Sequence, residues 1–146
     1  MAFRFHLTGV LRLRESIERA EELALNRIVQ QMVVAELELQ QIEEKQDRLR
    51  KQCQDDLARG LSAAELQEVS EKETQLRRCA DALRSRLLTL EVERVAQLET
   101  YRMAQQQVEI LTEIREQNYR SYHRAQLRQE QKQLDDLFLS RRRGGN

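Results

Sequence analysis

The chain has 146 residues, of which 40% are hydrophobic, 34% charged and 4% aromatic, with four glycines and no proline. Average usage would place roughly seven prolines in this length, so the scarcity of breakers and rings excludes an ordinary compact mixed domain and favours long helices or coiled coil. Net charge is zero but uneven: residues 1–14 carry +3 from Arg4, Arg12 and Arg14, residues 115–146 carry eight bases against four acids, and the body between them is left at −7. Basic ends on an acidic body suit a partner contact at the ends, or simply solvated charge on long helices.

The opening "MAFRFHLTGVL" is interrupted by charge and lacks the apolar core and cleavage site of a signal peptide. No run approaches the ~18 apolar residues of a membrane span. The chain is therefore expected in the cytoplasm, with Cys53 and Cys79 reduced.

A first helix is predicted over about residues 8–58. A seam can be traced through Leu13, Ile17, Ala20, Ala24, Ile28, Met32, Ala35, Leu39, Ile42, Gln46, Leu49, Cys53 and Leu57. Its mean step of about 3.67 residues is nearer an 11-residue repeat than a heptad, so little left-handed supercoil is expected.

The pattern breaks at "RGLSAAEL". Gly60 can take the left-handed conformation that ends a helix. Ser62 and Glu65 have capping-box spacing, and Leu61 and Leu66 have that of a hydrophobic staple. A turn is predicted at 59–61; so short a connection favours antiparallel neighbours.

The second helix is predicted from 62 to about 140, followed by a short flexible tail, 141–146. Leu76, Ala80, Leu83, Leu87 and Leu90 follow heptad spacing. The seam weakens at Arg94, recovers at Leu98 and Tyr101, and continues through Val108 and Leu111. At 1.5 Å per residue the helices would measure roughly 75 and 120 Å. Pairing outward from residue 60 exhausts the first helix opposite residue ~112, so residues 113–140 are expected to overhang without an intrachain partner. The same ruler offsets Cys53 and Cys79 by about 18 Å, too far for a disulfide, and both thiols are expected to pack at the seam. The fold class is thus all-α: two long helices in an antiparallel coiled-coil hairpin, the second longer, forming one stalk over residues 1–146. A single buried stripe per helix against ~1–2 kcal/mol of ordering entropy per residue implies a marginally stable rod completed by partners.

No catalytic constellation emerges. There is no phosphate-binding glycine loop, and Asp55-Asp56 and Asp135-Asp136 are adjacent, so on a helix their members diverge by about 100°. Two lone cysteines with His6 and His123 far away match no metal-ligand spacing. The expectation is a non-enzyme with no metal and no cofactor. Arg115, Arg120, Arg124, Arg128 and "SRRR" at 140–143, with Tyr119 and Tyr122 among them, form a partly basic tail. Glu116, Glu130, Asp135 and Asp136 dilute it, and a pI near 6.8 is unlike that of a nucleic-acid-binding domain.

"MAFRFHLTGVLRLRE" resembles the amino terminus of FliJ proteins, the stalk-like component of the bacterial flagellar type III export apparatus. "RQEQKQLDDLFLSRR", residues 128–142, is similar to the E-Q-K-x-x-D-E stretch near their carboxyl termini. Length, hairpin and the glycine near position 60 also fit. The resemblance implies a non-enzymatic coiled-coil stalk and adaptor that couples the hexameric export ATPase, FliI, to the export gate protein, FlhA, and escorts export chaperones. It would sit in the cytoplasm, peripheral to the inner-membrane apparatus, with no direct membrane insertion and no nucleic acid. On this reading the end holding both termini enters the ATPase ring, through Phe3, Arg4, Arg12, Arg128, Glu130, Gln131, Lys132, Leu134, Asp135, Asp136 and Phe138. The gate-facing surface would include Glu38, Ile42, Leu49, Leu76 and Leu83, although the four apolar ones also suit ordinary seam positions. The chain departs from the pattern there, with Lys45, Leu49 and Lys72 where some members have Tyr or Phe. The alternatives are the equivalent stalk of a virulence-type secretion system and a generic self-associating coiled-coil scaffold.

Overall fold

Strong helix formers give two helices, α1 (Thr8–Arg59) and α2 (Ala63–Gly144), and no strand among the described residues. The computed structural model describes residues 2–145. The fold is an all-α antiparallel hairpin whose second helix is the longer. Helix α2 runs to Gly144, so Arg141–Arg143 extend it beyond the predicted end near Ser140. These cations in the last turn complement the negative end of the helix dipole.

The turn is built by its local sequence. Gly60 takes a φ of +92°, a conformation costly to any residue with a Cβ, and its N–H donates to the Leu57 carbonyl at 3.3 Å. The Ser62 N–H donates to Glu65 Oε2 at 3.4 Å, and the Glu65 N–H donates to Ser62 Oγ at 3.3 Å, a reciprocal capping box. The Leu66 N–H then donates to the Ser62 carbonyl at 3.1 Å, opening α2. Of the staple pair, Leu61 is half-buried and Leu66 remains exposed.

Packing divides the chain into two units: residues 21–101, which hold the turn, and the residues up to Ala20 with those from Arg102 onward. In the unit holding the turn, α1 turns Leu25, Ile28, Met32, Ala35, Leu39, Ile42, Gln46, Leu49 and Cys53 inward in strict 4-3 alternation. Helix α2 answers with Val69, Glu73, Leu76, Ala80, Leu83, Leu87, Leu90, Arg94, Gln97 and Tyr101, also in 4-3 alternation. Both stripes keep the heptad period of 3.5. The longer mean step predicted for α1 is therefore corrected: the predicted and inward positions coincide from Ile28 to Cys53, and the excess came from the ends of the predicted path, where the inward face departs from it. Ala80 is fully buried, and Ala35 and Leu90 nearly so, so small residues alternate with large ones along the seam.

Where the α2 seam becomes polar, it stays satisfied. Gln97 donates through Nε2 to the Glu21 backbone carbonyl at 3.1 Å and also to the Glu21 carboxylate. Arg94 grips Glu91 with two bonds, Nε to Oε2 at 2.9 Å and Nη2 to Oε1 at 2.6 Å. These hydrogen bonds hold the Glu91 carboxyl below its ordinary range and raise the Arg94 guanidinium above its own. Across the hairpin, Arg84 meets Glu43 at 3.5 Å.

The other unit corrects two expectations. Leu13 is 59% exposed and Ile17 also faces out, while Leu11 is buried and Glu15 and Glu18 are half-buried. In the unit holding the turn, Leu57, at the far end of the predicted α1 path, is likewise exposed. The inward face is chosen by the neighbouring helix, and glutamate stems can cover a seam while their carboxylates stay wet. The predicted overhang from residue 113 also moves. Residues 3–7 precede α1 and lie against α2, where Phe3 meets the rings of Tyr119 at 5.4 Å and Tyr122 at 5.5 Å. A non-helical chain advances up to about 3.3 Å per residue against 1.5 Å in a helix, so this arm reaches further than a helical ruler allows. Half-buried positions continue on α2 through Asn118, Tyr122 and Gln126; from Leu127 onward every described residue is exposed.

Candidate functional site

The sequence candidates fall into two groups, one in each unit. The first starts with the amino-terminal arm. Phe5 and Leu11 are buried and fix it. The Thr8 hydroxyl and N–H both donate to the Phe5 carbonyl, at 2.6 and 3.2 Å, closing the turn that enters α1. Phe3 is half-buried against Tyr119 and Tyr122; Tyr119 stacks on His123 at 6.2 Å, and Gln126 Nε2 donates to the Tyr122 hydroxyl at 2.8 Å. Arg4 and Arg115 line a crevice of about 300 Å³ with Phe3, Phe5 and Thr8. Phe3 is therefore engaged by its own chain, while Arg4 and Arg12 stay exposed.

The remaining candidates of that group, Arg128, Glu130, Gln131, Lys132, Leu134, Asp135, Asp136 and Phe138, all lie on the exposed end of α2. Helical spacing at 100° per residue gathers Gln131, Leu134 and Phe138 into one stripe. Leu134 is 66% and Phe138 69% exposed. Leu127 joins the same stripe seven residues before Leu134 and Leu137 borders it; both are exposed and were missed. The i, i+7 recurrence of leucine at 127 and 134 could have found the first. Arg128, Lys132 and Asp135 share the adjoining face, whereas Asp135 and Asp136 point about 100° apart. An apolar stripe rimmed by both charges is suited to docking against another protein surface.

The second group lies in the unit holding the turn. Ile42, Leu49, Leu76 and Leu83 are half-buried members of the two heptad stripes, so they face the opposing helix. Glu38 is exposed and shares a small crevice with Gln31 and Arg86. Leu49 and Leu76 have a further property, because they also form the floor of an open groove of about 390 Å³ between the helices. Its remaining lining is Lys45, Arg48, Gln52, Lys72, Gln75 and Cys79. Cys53 packs half-buried at the seam as expected, but Cys79 is exposed at the groove's edge; both thiols are free.

Among the described residues no three His, Cys, Asp or Glu side chains are placed to hold a metal ion. No helix there is long and apolar enough to cross a membrane. Compared with known proteins, residues 3–145 match the family model described as flagellar FliJ protein. No curated protein and no solved structure matches the chain.

Proposed function

Because the chain belongs to the flagellar FliJ family, a family of export-related coiled-coil proteins, we propose that it is the stalk and adaptor of the type III export apparatus. It is one stalk over its whole length, without enzymatic activity of its own. It works in the cytoplasm, peripherally at the inner-membrane apparatus. Its exposed α2 end docks in the hexameric export ATPase, FliI, and its turn-bearing unit faces the gate protein, FlhA. The stalk also escorts export chaperones. The observation carrying this reading is the end of α2 from Leu127 onward: a helix with Leu127, Leu134, Leu137 and Phe138 all exposed and no residue buried by its own chain. Such an apolar stripe on an otherwise solvated helix favours an external partner.

The test adds the full chain to the purified hexameric ATPase and follows phosphate release. The wild-type chain is expected to stimulate hydrolysis, and a Leu134→Asp, Phe138→Asp variant of unchanged helicity to fail. Equal stimulation by both proteins would remove the docking assignment, and stimulation by neither would remove the stalk reading.

A further inference from the structure

The groove between the helices near Cys79 has an unusual charge pattern. Its polar walls hold three cations, Lys45, Arg48 and Lys72, and no acid. Among the described residues, none of these three takes part in an ion pair. All three are exposed, in a unit that holds more acids than bases. Concentrated, unneutralised positive charge on an otherwise acidic surface creates a local potential that attracts anionic groups. The floor between the cations is apolar, formed by Leu49 and Leu76. The groove spans eight residues of each helix, from Lys45 to Gln52 and from Lys72 to Cys79, or roughly 10 Å, which is two turns of a helical ligand.

We infer that this groove docks an acidic amphipathic helix of a partner protein, its apolar anchors seated on Leu49 and Leu76 and its carboxylates on Lys45, Arg48 and Lys72. The inference rests on the gate-facing reading of this surface and adds the chemistry of the segment recognised. A helix with leucines three and four residues apart places two anchors over a two-turn floor and its flanking acids over both walls. A nucleic acid fits less well: its phosphates would find the cations, but the lining offers no aromatic ring for the bases, and an apolar floor gives them nothing.

The test uses the full chain carrying Cys53→Ser, so that Cys79 is the one reactive thiol. The probe is a fluorescein-labelled peptide of about 18 residues with leucines at helical spacing flanked by glutamates. It is expected to bind, to shield Cys79 from maleimide, and to weaken as salt is raised. Replacing its glutamates by lysines, or its leucines by glutamines, should weaken it about tenfold or more, as should Lys45→Glu with Lys72→Glu in the protein. Lys45→Gln with Lys72→Gln should fall between. Equal binding of the glutamate and lysine peptides, or indifference to the charge reversal in a protein of unchanged helicity, overturns the inference. So does tighter binding of a single-stranded oligonucleotide at Cys79. A second arm uses the cytoplasmic domain of the gate protein. Loss of its binding on charge reversal supports the inference. Binding lost only with Leu49→Asp and Leu76→Asp overturns the charge assignment and leaves the gate reading standing. Binding indifferent to all four substitutions overturns both.

Discussion

At the scale of single residues, the turn is held by three side-chain choices. A Cβ built on Gly60 meets nothing within 4 Å, so the cost of Gly60→Ala lies in its φ of +92° and not in a clash. That strain is about 1 kcal/mol, and loss of the Ser62 cap adds about 1 kcal/mol. Ser62→Ala alone should therefore lower the urea midpoint, and the double variant should lower it by about twice as much; no shift in either would mean that the turn is held by other contacts. Glu91 offers a different test. Its pKa is held below the ordinary 4.5 by Arg94, so the pair stabilises the fold above the ordinary carboxylate range and loses that contribution as pH falls through the depressed value. Arg94 is raised above its ordinary value by the same pair, so the contribution persists through neutral pH and is lost again only where the guanidinium itself deprotonates in strong alkali. The difference in unfolding midpoint between wild type and Glu91→Gln is expected to be largest at neutral pH and to close in acid. A gap that stays constant would assign the effect to something other than this ion pair. Both features are local, their partners three residues apart. The capping box is legible from residue types and spacing alone, whereas the Glu91–Arg94 grip depends on which rotamers the two side chains adopt.

At the scale of the helices, legibility follows how many neighbours decide a position. The α2 stripe from Leu76 to Leu90 was readable because apolar residues there coincide with the heptad. The α1 stripe was readable from Ile28 to Cys53 for the same reason. It failed at Leu13 and Ile17, where the inward face is filled by Leu11, Glu15 and Glu18. Hydrophobicity alone chose the wrong face, because partial burial of a glutamate stem costs little when its carboxylate reaches water. The arm before Thr8 left no periodic trace at all, since ring contacts between Phe3 and Tyr119 or Tyr122 span most of the chain. Within the seam, the small buried residues set how closely the helices approach. Ala80 has no exposed surface, so Ala80→Leu adds volume where there is none to take it. The expected loss is about 1–3 kcal/mol in a chemical unfolding experiment, despite a gain in hydrophobicity. A stabilised variant would mean the seam around Ala80 is looser than its burial implies.

At the scale of the molecule, stability and docking are expected to part company at one position on α2. Up to Gln126 the helix is covered in part by its own chain: Phe3 sits on Tyr119 and Tyr122, and Gln126 itself donates to Tyr122. From Leu127 onward every described residue is exposed, so their removal forfeits little packing. A chain ending at Gln126 should therefore unfold at the same urea concentration as the full chain while losing stimulation of the export ATPase. A chain ending at Thr112 should behave differently. It lacks both tyrosines, leaves the Phe3 ring without its partners, and should unfold earlier. Phe3→Ala in the full chain should reproduce much of that loss, about 1–2 kcal/mol for one half-buried ring and its aromatic pairs, yet keep the α2 end intact. If the cut at Gln126 destabilises as much as the cut at Thr112, the exposed end contributes to folding after all. If Phe3→Ala changes nothing, the arm is held by Phe5 and Leu11 alone, and the tyrosine pair must be explained by its surface rather than by the ring resting on it.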